Sequence, residues 1–224
     1  PENKQYTQKG DIIKVGLTLF GRALIYLPYF IYTFKQMAEA GITVKRAKTE
    51  LTSVENITKD GPVTIYASPS SKLINKSFEW SAKEFQDETF SPESRITIDF
   101  ISPFRVQEKN KVLTKQHELT PLFLIRNIER RIYSIATLFC ENKEEYIPEE
   151  FGNDLEFTEN KLYYYSWERY SSRQKAKIGL GGYKGSLTLK GNLEKYYPLF
   201  KIGEMINIGK NTVFGLGKYT LTIK

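Results

Sequence analysis

Cysteine and histidine are nearly absent from this sequence: its 224 residues include one of each, Cys140 and His117. A single cysteine excludes an intramolecular disulfide and is typical of a reducing compartment, so we expect a cytoplasmic protein. The two residues form no recognisable zinc constellation, and we expect neither a metal nor another cofactor. Cys140 continues an apolar helical pattern, which predicts a small core residue.

Motifs of several large enzyme classes are also absent. No Walker A loop and no dinucleotide-binding fingerprint follows a predicted strand, and no nucleophile elbow accompanies His117. Arg22 and Pro28 interrupt the apolar stretch 17–34, whereas a membrane-spanning helix needs about 20 consecutive apolar residues. We therefore expect no membrane segment. The sequence opens on Pro1 without a signal pattern, which predicts a trimmed N-terminus.

Positive charge is present in excess. Lysine and arginine number 33 against 26 aspartates and glutamates, which gives a net charge of +7. This excess suits a polyanionic partner, although many soluble proteins carry as much.

Residues 1–66 predict half of a ferredoxin-like βαββαβ domain. Alternating apolar residues indicate strands, and a proline near the start and a glycine at the end bound a helix. The predicted elements are a strand at 11–20, a helix from Leu27 to Gly41, and strands at 46–54 and 63–66. Because this is only a strand-helix-strand unit, we expect preceding sequence or another chain to cover its open edge.

Residues 95–224 predict a complete βαββαβ domain, which follows a connector at 67–94 rich in Ser, Lys, Glu and Pro. The predicted elements are strands at 95–100, 161–167, 185–190 and 218–223 and helices at 121–141 and 192–200. RRM-type RNA-binding sheets use this order. We therefore expect an α+β protein in which a partial ferredoxin-like domain precedes a ferredoxin-like, RRM-like domain.

A glycine-rich loop with two lysines, residues 209–218, precedes the last predicted strand. Glycines let the backbone take positive φ and approach another molecule closely, so that amides can point at phosphates while lysines supply charge. We expect Leu216, between two of the glycines, to anchor the loop in the core. A purely structural turn uses glycines as readily and is the alternative. The loop residues expected to hold a phosphate backbone are Gly209, Lys210, Asn211, Gly215, Gly217 and Lys218.

The glycine spacing, the intervening lysine and the following strand resemble the C-terminal glycine-rich loop of the CRISPR repeat-RNA endoribonucleases of the RAMP superfamily. Two further segments carry the resemblance: LTLFGRA and YLPY within residues 17–29, and RYSSRQ and GGYKG within residues 169–185. The resemblance implies binding of precursor CRISPR repeat RNA and metal-independent cleavage by 2′-hydroxyl attack, which leaves a cyclic phosphate. It also implies other CRISPR effector subunits as partners and an N-terminally truncated first domain.

Four arginines are expected to add phosphate contacts. Arg126 and Arg130 lie one turn apart on the exposed side of a predicted helix, where a solvated face with Glu129 as ion-pair partner is the alternative. Arg169 and Arg173 lie at a predicted hairpin tip.

His117 is the candidate for acid–base catalysis. Histidine exchanges protons near neutral pH, and His117 precedes a predicted helix N-terminus at Thr120-Pro121, where free amides favour a phosphate. An exposed loop histidine is the alternative. Many members of the family have a histidine two residues before the first loop glycine, whereas this chain has Asn207, which cannot exchange a proton. The protein then either cleaves with another group or only binds RNA.

Tyr163, Tyr165 and Trp167 lie on one face of a predicted strand. Such a face stacks RNA bases in ferredoxin-like sheets, but aromatic stripes on strands are more often core, and we expect core positions for Tyr163 and Tyr165. Three functions stay open at this point: the endoribonuclease, a non-catalytic RNA-binding RAMP subunit of an effector complex, and a protein-interaction module whose glycines serve only the turn.

Overall fold

The described residues of the N-terminal part include a 3₁₀ helix (Gly21–Tyr26), an α-helix and a hairpin. The computed structural model describes residues 8–42, 46–70, 73, 78–85, 88–109, 111–141, 143–148, 154–171 and 175–224. Helix α1 (Leu27–Ala40) has a proline in its first turn and ends before Gly41, as predicted. Strands β1 (Ser53–Thr58) and β2 (Gly61–Ala67) form an antiparallel hairpin. The hairpin packs on α1 through a small cluster of Ile31, Ile65 and Tyr66.

Residues 11–20 form no strand, so that prediction is wrong. They pair with no strand in the described part of the chain, and the side chains of Ile12, Val15 and Leu17 are 82%, 68% and 47% exposed. Alternation indicates which face of a strand would be buried, but a strand forms only where a neighbour takes up its backbone hydrogen bonds. The strand predicted at 46–54 begins later, at the start of β1.

The second part begins with strand β3, continues through a small hairpin and ends in a strand after the glycine-rich loop. Its elements are β3 (Ile96–Phe104), β4 (Gln107–Glu108), β5 (Lys111–Val112), α2 (Pro121–Phe139), β6 (Leu155–Asn160), β7 (Tyr163–Tyr165), β8 (Glu168–Ser171), β9 (Ala176–Gly179), β10 (Gly182–Gly191), α3 (Leu193–Ile206) and β11 (Tyr219–Ile223).

Five of these strands build one antiparallel sheet in the order β11-β3-β10-β6, with β7 also paired to β10, whereas β4–β5 and β8–β9 form separate hairpins. Helices α2 and α3 cover one face, and the core between them includes Phe100, Leu124, Ile128 and Tyr196. The order is that of a ferredoxin-like βαββαβ unit, and the predicted α+β, ferredoxin-like fold class is confirmed.

Most predicted elements of this part occur where expected, with several differences. No pattern in the sequence predicted β6 or the short β4–β5 hairpin, α3 continues to Ile206 rather than residue 200, and Cys140 is exposed rather than in the core. Cys140 is the residue that caps the C-terminal end of α2. Of the helices described, none has the length and apolar character to span a membrane.

The topology brings three connections to one end of the sheet. Strand β3 ends there at Phe104, which pairs with Tyr183 near the start of β10, and β11 begins there at Tyr219. The connection between β3 and α2, the β8–β9 hairpin and the glycine-rich loop therefore share this end. Every described site residue predicted outside α2 belongs to one of these three connections.

Candidate nucleic-acid interface

Hydrogen bonds to the end of β3 hold the glycine-rich loop in place. The amide of Lys210 donates to the carbonyl oxygen of Arg105 (2.7 Å), and the amide of Gly217 donates to that of Pro103 (2.9 Å). The two sides of the loop also meet each other, because the amide of Ile208 donates to the carbonyl oxygen of Gly217 (3.0 Å). The loop is therefore a fixed frame at the end of the sheet.

This close approach requires glycine at position 217. Gly217 has a φ of +74°, and a Cβ atom there would lie 1.7 Å from the carbonyl oxygen of Ile208. Gly215 also has a positive φ, +79°, but no atom lies within 4 Å of the place its Cβ would occupy. Leu216 between them is 1% exposed, so its predicted role as an anchor is confirmed.

Most amides of the candidate loop residues are occupied inside the protein. No acceptor among the described residues takes the amides of Gly209 and Asn211. The loop can thus offer a phosphate these two amides together with its two exposed lysine side chains. The amides that donate to protein oxygens are those of Lys210, Gly215, Gly217 and Lys218.

Two asparagines have a positive φ in this region. Asn207 ends α3 with a φ of +56°, and Asn211 has a φ of +62°. Asparagine tolerates positive φ better than other residues that carry a Cβ. Asn211, with a ψ of 31°, lies in the αL region that asparagine tolerates, whereas Asn207, with a ψ of 149°, lies outside it.

Arg169 joins the β8–β9 hairpin to the glycine-rich loop. Its guanidinium carbon lies 4.8 Å from the centroid of the Phe214 ring, a cation–π distance. Phe214 is 50% exposed, so the pair forms part of the surface at this end of the sheet. Arg173 lies outside the described residues.

Arg105, which sequence reasoning missed, ties the loop to β10. Its Nη1 donates to the carbonyl oxygen of Gly181 (2.9 Å), while its own carbonyl oxygen accepts the bond from Lys210. A lone arginine after a buried strand carries no recognisable signal, because the role depends on which loops meet there.

The two arginines of α2 that were predicted as phosphate contacts, Arg126 and Arg130, differ in their surroundings. Arg126 forms an ion pair with Glu129 (3.0 Å), whose carboxylate also accepts a hydrogen bond from the Tyr146 hydroxyl (3.0 Å). Arg130 is exposed. The ion-pair alternative thus describes Arg126, and Arg130 is the more accessible cation.

His117 is exposed in a 3₁₀ turn, Gln116–Glu118. The side chain of Gln116 donates to the carbonyl oxygen of Asn160 (2.6 Å), which fastens the turn to the end of β6. Thr120 caps α2 as predicted, since its hydroxyl accepts from the amide of Phe123 (3.1 Å). The turn shares its end of the sheet with the glycine-rich loop, but no contact between described residues joins the imidazole to the loop.

Tyr163 and Tyr165 are on the surface, so the prediction of core positions is wrong. They are 56% and 43% exposed. Side chains alternate along β7, so Tyr164 turns inward and meets Tyr183 edge-on at 5.9 Å. Its two neighbours therefore point to the sheet face opposite the helices, where no described element covers them.

Comparisons with known proteins identify relatives of this chain. Residues 98–219, more than half of the chain, match the family model described as CRISPR-associated endoribonuclease Cas6. Residues 1–78 match a model described as an N-terminal domain. A search of curated proteins found no match.

Two solved structures illustrate the similarity. A chain of a partial Cas6-RT-Cas1–Cas2 complex is 19% identical with a TM-score of 0.50, over 78% of this chain and 30% of that one. Thermus thermophilus Cas6 is 16% identical with a TM-score of 0.46, over 64% of this chain and 58% of its own. The present chain thus spans about a third of the first relative and less than two thirds of the second.

Proposed function

Because the chain belongs to the family of CRISPR-associated endoribonucleases Cas6, we propose that it binds CRISPR repeat RNA and cleaves it without a metal ion. One observation carries the proposal: a rigid glycine-rich loop with two exposed lysines meets the hairpin of Arg169 at one end of the sheet. Fixed cations of this kind suit the RNA backbone, whose charge dominates the affinity of most nucleic-acid complexes. The family match covers both elements.

In this proposal the glycine-rich loop holds consecutive phosphates. Lys210 and Lys218 supply charge, and the amides of Gly209 and Asn211 supply directed donors. Gly215 lets the backbone approach closely, and Gly217 keeps the loop in shape. The secondary phosphate contacts are Arg169, Arg173 and Arg130, and Arg126 joins them only by leaving Glu129.

The proposed chemistry needs only groups that move protons and stabilise charge. The 2′-oxygen of one nucleotide attacks the adjacent phosphorus, and the bond from phosphorus to the 5′-oxygen breaks. The products are a 2′,3′-cyclic phosphate and a free 5′-hydroxyl. A base removes the 2′-proton, an acid protonates the leaving oxygen, and cations stabilise the charge on the phosphoryl oxygens. His117 is our candidate for one of the two proton transfers.

A non-catalytic RNA-binding subunit is the second candidate. His117 is the only histidine of the chain and makes no described contact with the glycine-rich loop, and Asn207 cannot exchange a proton. In both proposals the protein works with other CRISPR proteins.

Repeat RNA labelled at its 5′ end and incubated with the protein in excess EDTA separates these proposals. A discrete product that carries a cyclic phosphate supports the metal-independent nuclease. A gel shift without product supports the binding subunit, and neither shift nor product contradicts both. RNA with a 2′-deoxy nucleotide at the cleaved position is the control, because it keeps the phosphates and lacks the attacking group.

A further inference from the structure

The sheet face opposite α2 and α3 carries two uncovered tyrosine rings, Tyr163 and Tyr165, which we call the aromatic strip. The rings lie about 7 Å apart along β7, as alternate residues of a strand do. Neither hydroxyl has a hydrogen-bond partner among the described residues, and neither ring packs on another aromatic ring there. Exposed aromatic surface of this kind often marks a binding site.

Positive charge lies beside the strip and continues to the glycine-rich loop. Lys184 is opposite Tyr163 in the β7–β10 register, and its Nζ lies 5.4 Å from the centroid of the Tyr165 ring. Four residues beyond Tyr165, Arg169 reaches the Phe214 ring of the loop. Cations next to aromatic rings are the combination that single-stranded nucleic acid uses, since bases stack on the rings and phosphates meet the cations.

The rest of this sheet face leaves room for a flat ligand. Its side chains on β10 and β11 include Ser186 and Thr220, which are short and polar, while Thr188 between the strands is buried and its hydroxyl pairs with that of Thr97. Asp99 of β3 is exposed on the same face and repels phosphate. A strand of RNA would therefore keep its backbone near the cations and turn its bases toward the sheet.

We propose that the aromatic strip stacks two unpaired bases of the RNA whose backbone the glycine-rich loop holds. The inference rests on the proposed function and adds that the RNA is single-stranded where it crosses β7. A duplex cannot use the strip, because its base faces are already stacked on each other.

An eight-nucleotide oligouridine with a fluorescent label tests the strip without cleavage. Tyr163→Ala with Tyr165→Ala should weaken its binding by at least about 30-fold and leave the salt dependence unchanged, because the rings release no counterions. Tyr163→Phe with Tyr165→Phe keeps both rings and should bind like the parent. Tyr29→Ala with Tyr32→Ala removes tyrosines that are 69% and 63% exposed on α1, and it should also bind like the parent.

Parental affinity in the Tyr163→Ala, Tyr165→Ala double variant overturns the inference. An equal loss of affinity in the double phenylalanine variant, or in the Tyr29→Ala, Tyr32→Ala variant, also overturns it. Ultraviolet cross-linking of a bromouridine oligomer to the parent protein tests the same contact without any substitution. Cross-links at Tyr163 or Tyr165 support the strip, and cross-links confined to other residues overturn it. A parent protein that cuts repeat RNA but does not bind the oligouridine overturns the strip alone. One that binds through the strip but cuts nothing contradicts only the nuclease proposal.

Discussion

At the residue scale, the backbone and the side chains of the glycine-rich loop have different roles. Its amides mostly hold the loop to β3, whereas the side chains of Lys210 and Lys218 reach solvent. Substituting the two lysines should therefore remove positive charge from the loop and leave its backbone conformation unchanged.

Lys210→Ala together with Lys218→Ala should weaken RNA binding and make it less salt-dependent. Each lost phosphate contact lowers the slope of log K against log salt concentration by about 0.7 to 0.9. Lys14→Ala with Lys48→Ala removes the same net charge from exposed positions outside the loop and should change the slope less. A loop variant with parental slope and affinity would favour the structural-turn interpretation.

His117→Ala should slow single-turnover cleavage by about two orders of magnitude. The affinity for RNA should stay within about twofold of the parent, because the imidazole would act on protons rather than hold the backbone. The measurement is the cleavage rate at saturating protein, with binding measured separately on RNA that has a 2′-deoxy nucleotide at the cleaved position. Cleavage at the parental rate would exclude His117 and direct attention to tyrosines and lysines around the loop.

At the element scale, the loop is a turn built by close backbone approach, and its two last glycines play different parts. Gly217 lies against the carbonyl group of Ile208, while Gly215 faces open space. This contrast allows shape and surface to be tested separately.

Gly217→Ala should lower the free energy of unfolding by several kcal/mol, because the backbone must move to relieve the clash with Ile208. Gly215→Ala should lower the free energy of unfolding by only about 1 kcal/mol, because alanine is less stable than glycine at a positive φ. Urea unfolding measures both values. Equal losses in the two variants would show that the Ile208 contact does not set the shape of the loop.

Elements with their own local signals could be predicted from the sequence. Helices α1 and α2 have periodic apolar residues and proline at the start, and both occur where expected. The strand at 11–20 and the burial of Tyr163 were predicted wrongly, because both depend on which neighbours a strand acquires. Arg105 lacked any signal for the same reason, since its partners lie in distant parts of the chain.

At the scale of the whole molecule, buried tyrosines make the core sensitive to alkaline pH. Burial raises the pKa of Tyr183 to about 12 and raises the pKa of Tyr197 and Tyr219 above the ordinary value. The unfolded chain releases these protons near pH 10, whereas the folded chain still holds them. The corresponding stability is fully present below pH 10 and, for Tyr183, is lost between about pH 10 and 12.

The free energy of unfolding should therefore fall above pH 10, by up to about 1.4 kcal/mol per pH unit for each buried tyrosine. Tyr183→Phe should fall less steeply between pH 10 and 12. It loses the hydrogen bond to the carbonyl oxygen of Lys115, which lowers its stability by a constant amount at every pH. Urea unfolding at several pH values measures the slopes, and identical slopes in parent and variant would contradict the assignment.

The pairing of β11 with β3 links the loop to the order in which the chain is made. Ile223 pairs with Ile96, more than a hundred residues earlier in the chain, and the loop closes only when this last strand docks. A nascent chain in which β11 has not yet paired with β3 thus contains the loop lysines, but the loop that positions them has not formed. We expect RNA to be captured only by folded molecules in which β11 has docked, and captured RNA in turn to hold β11 in place.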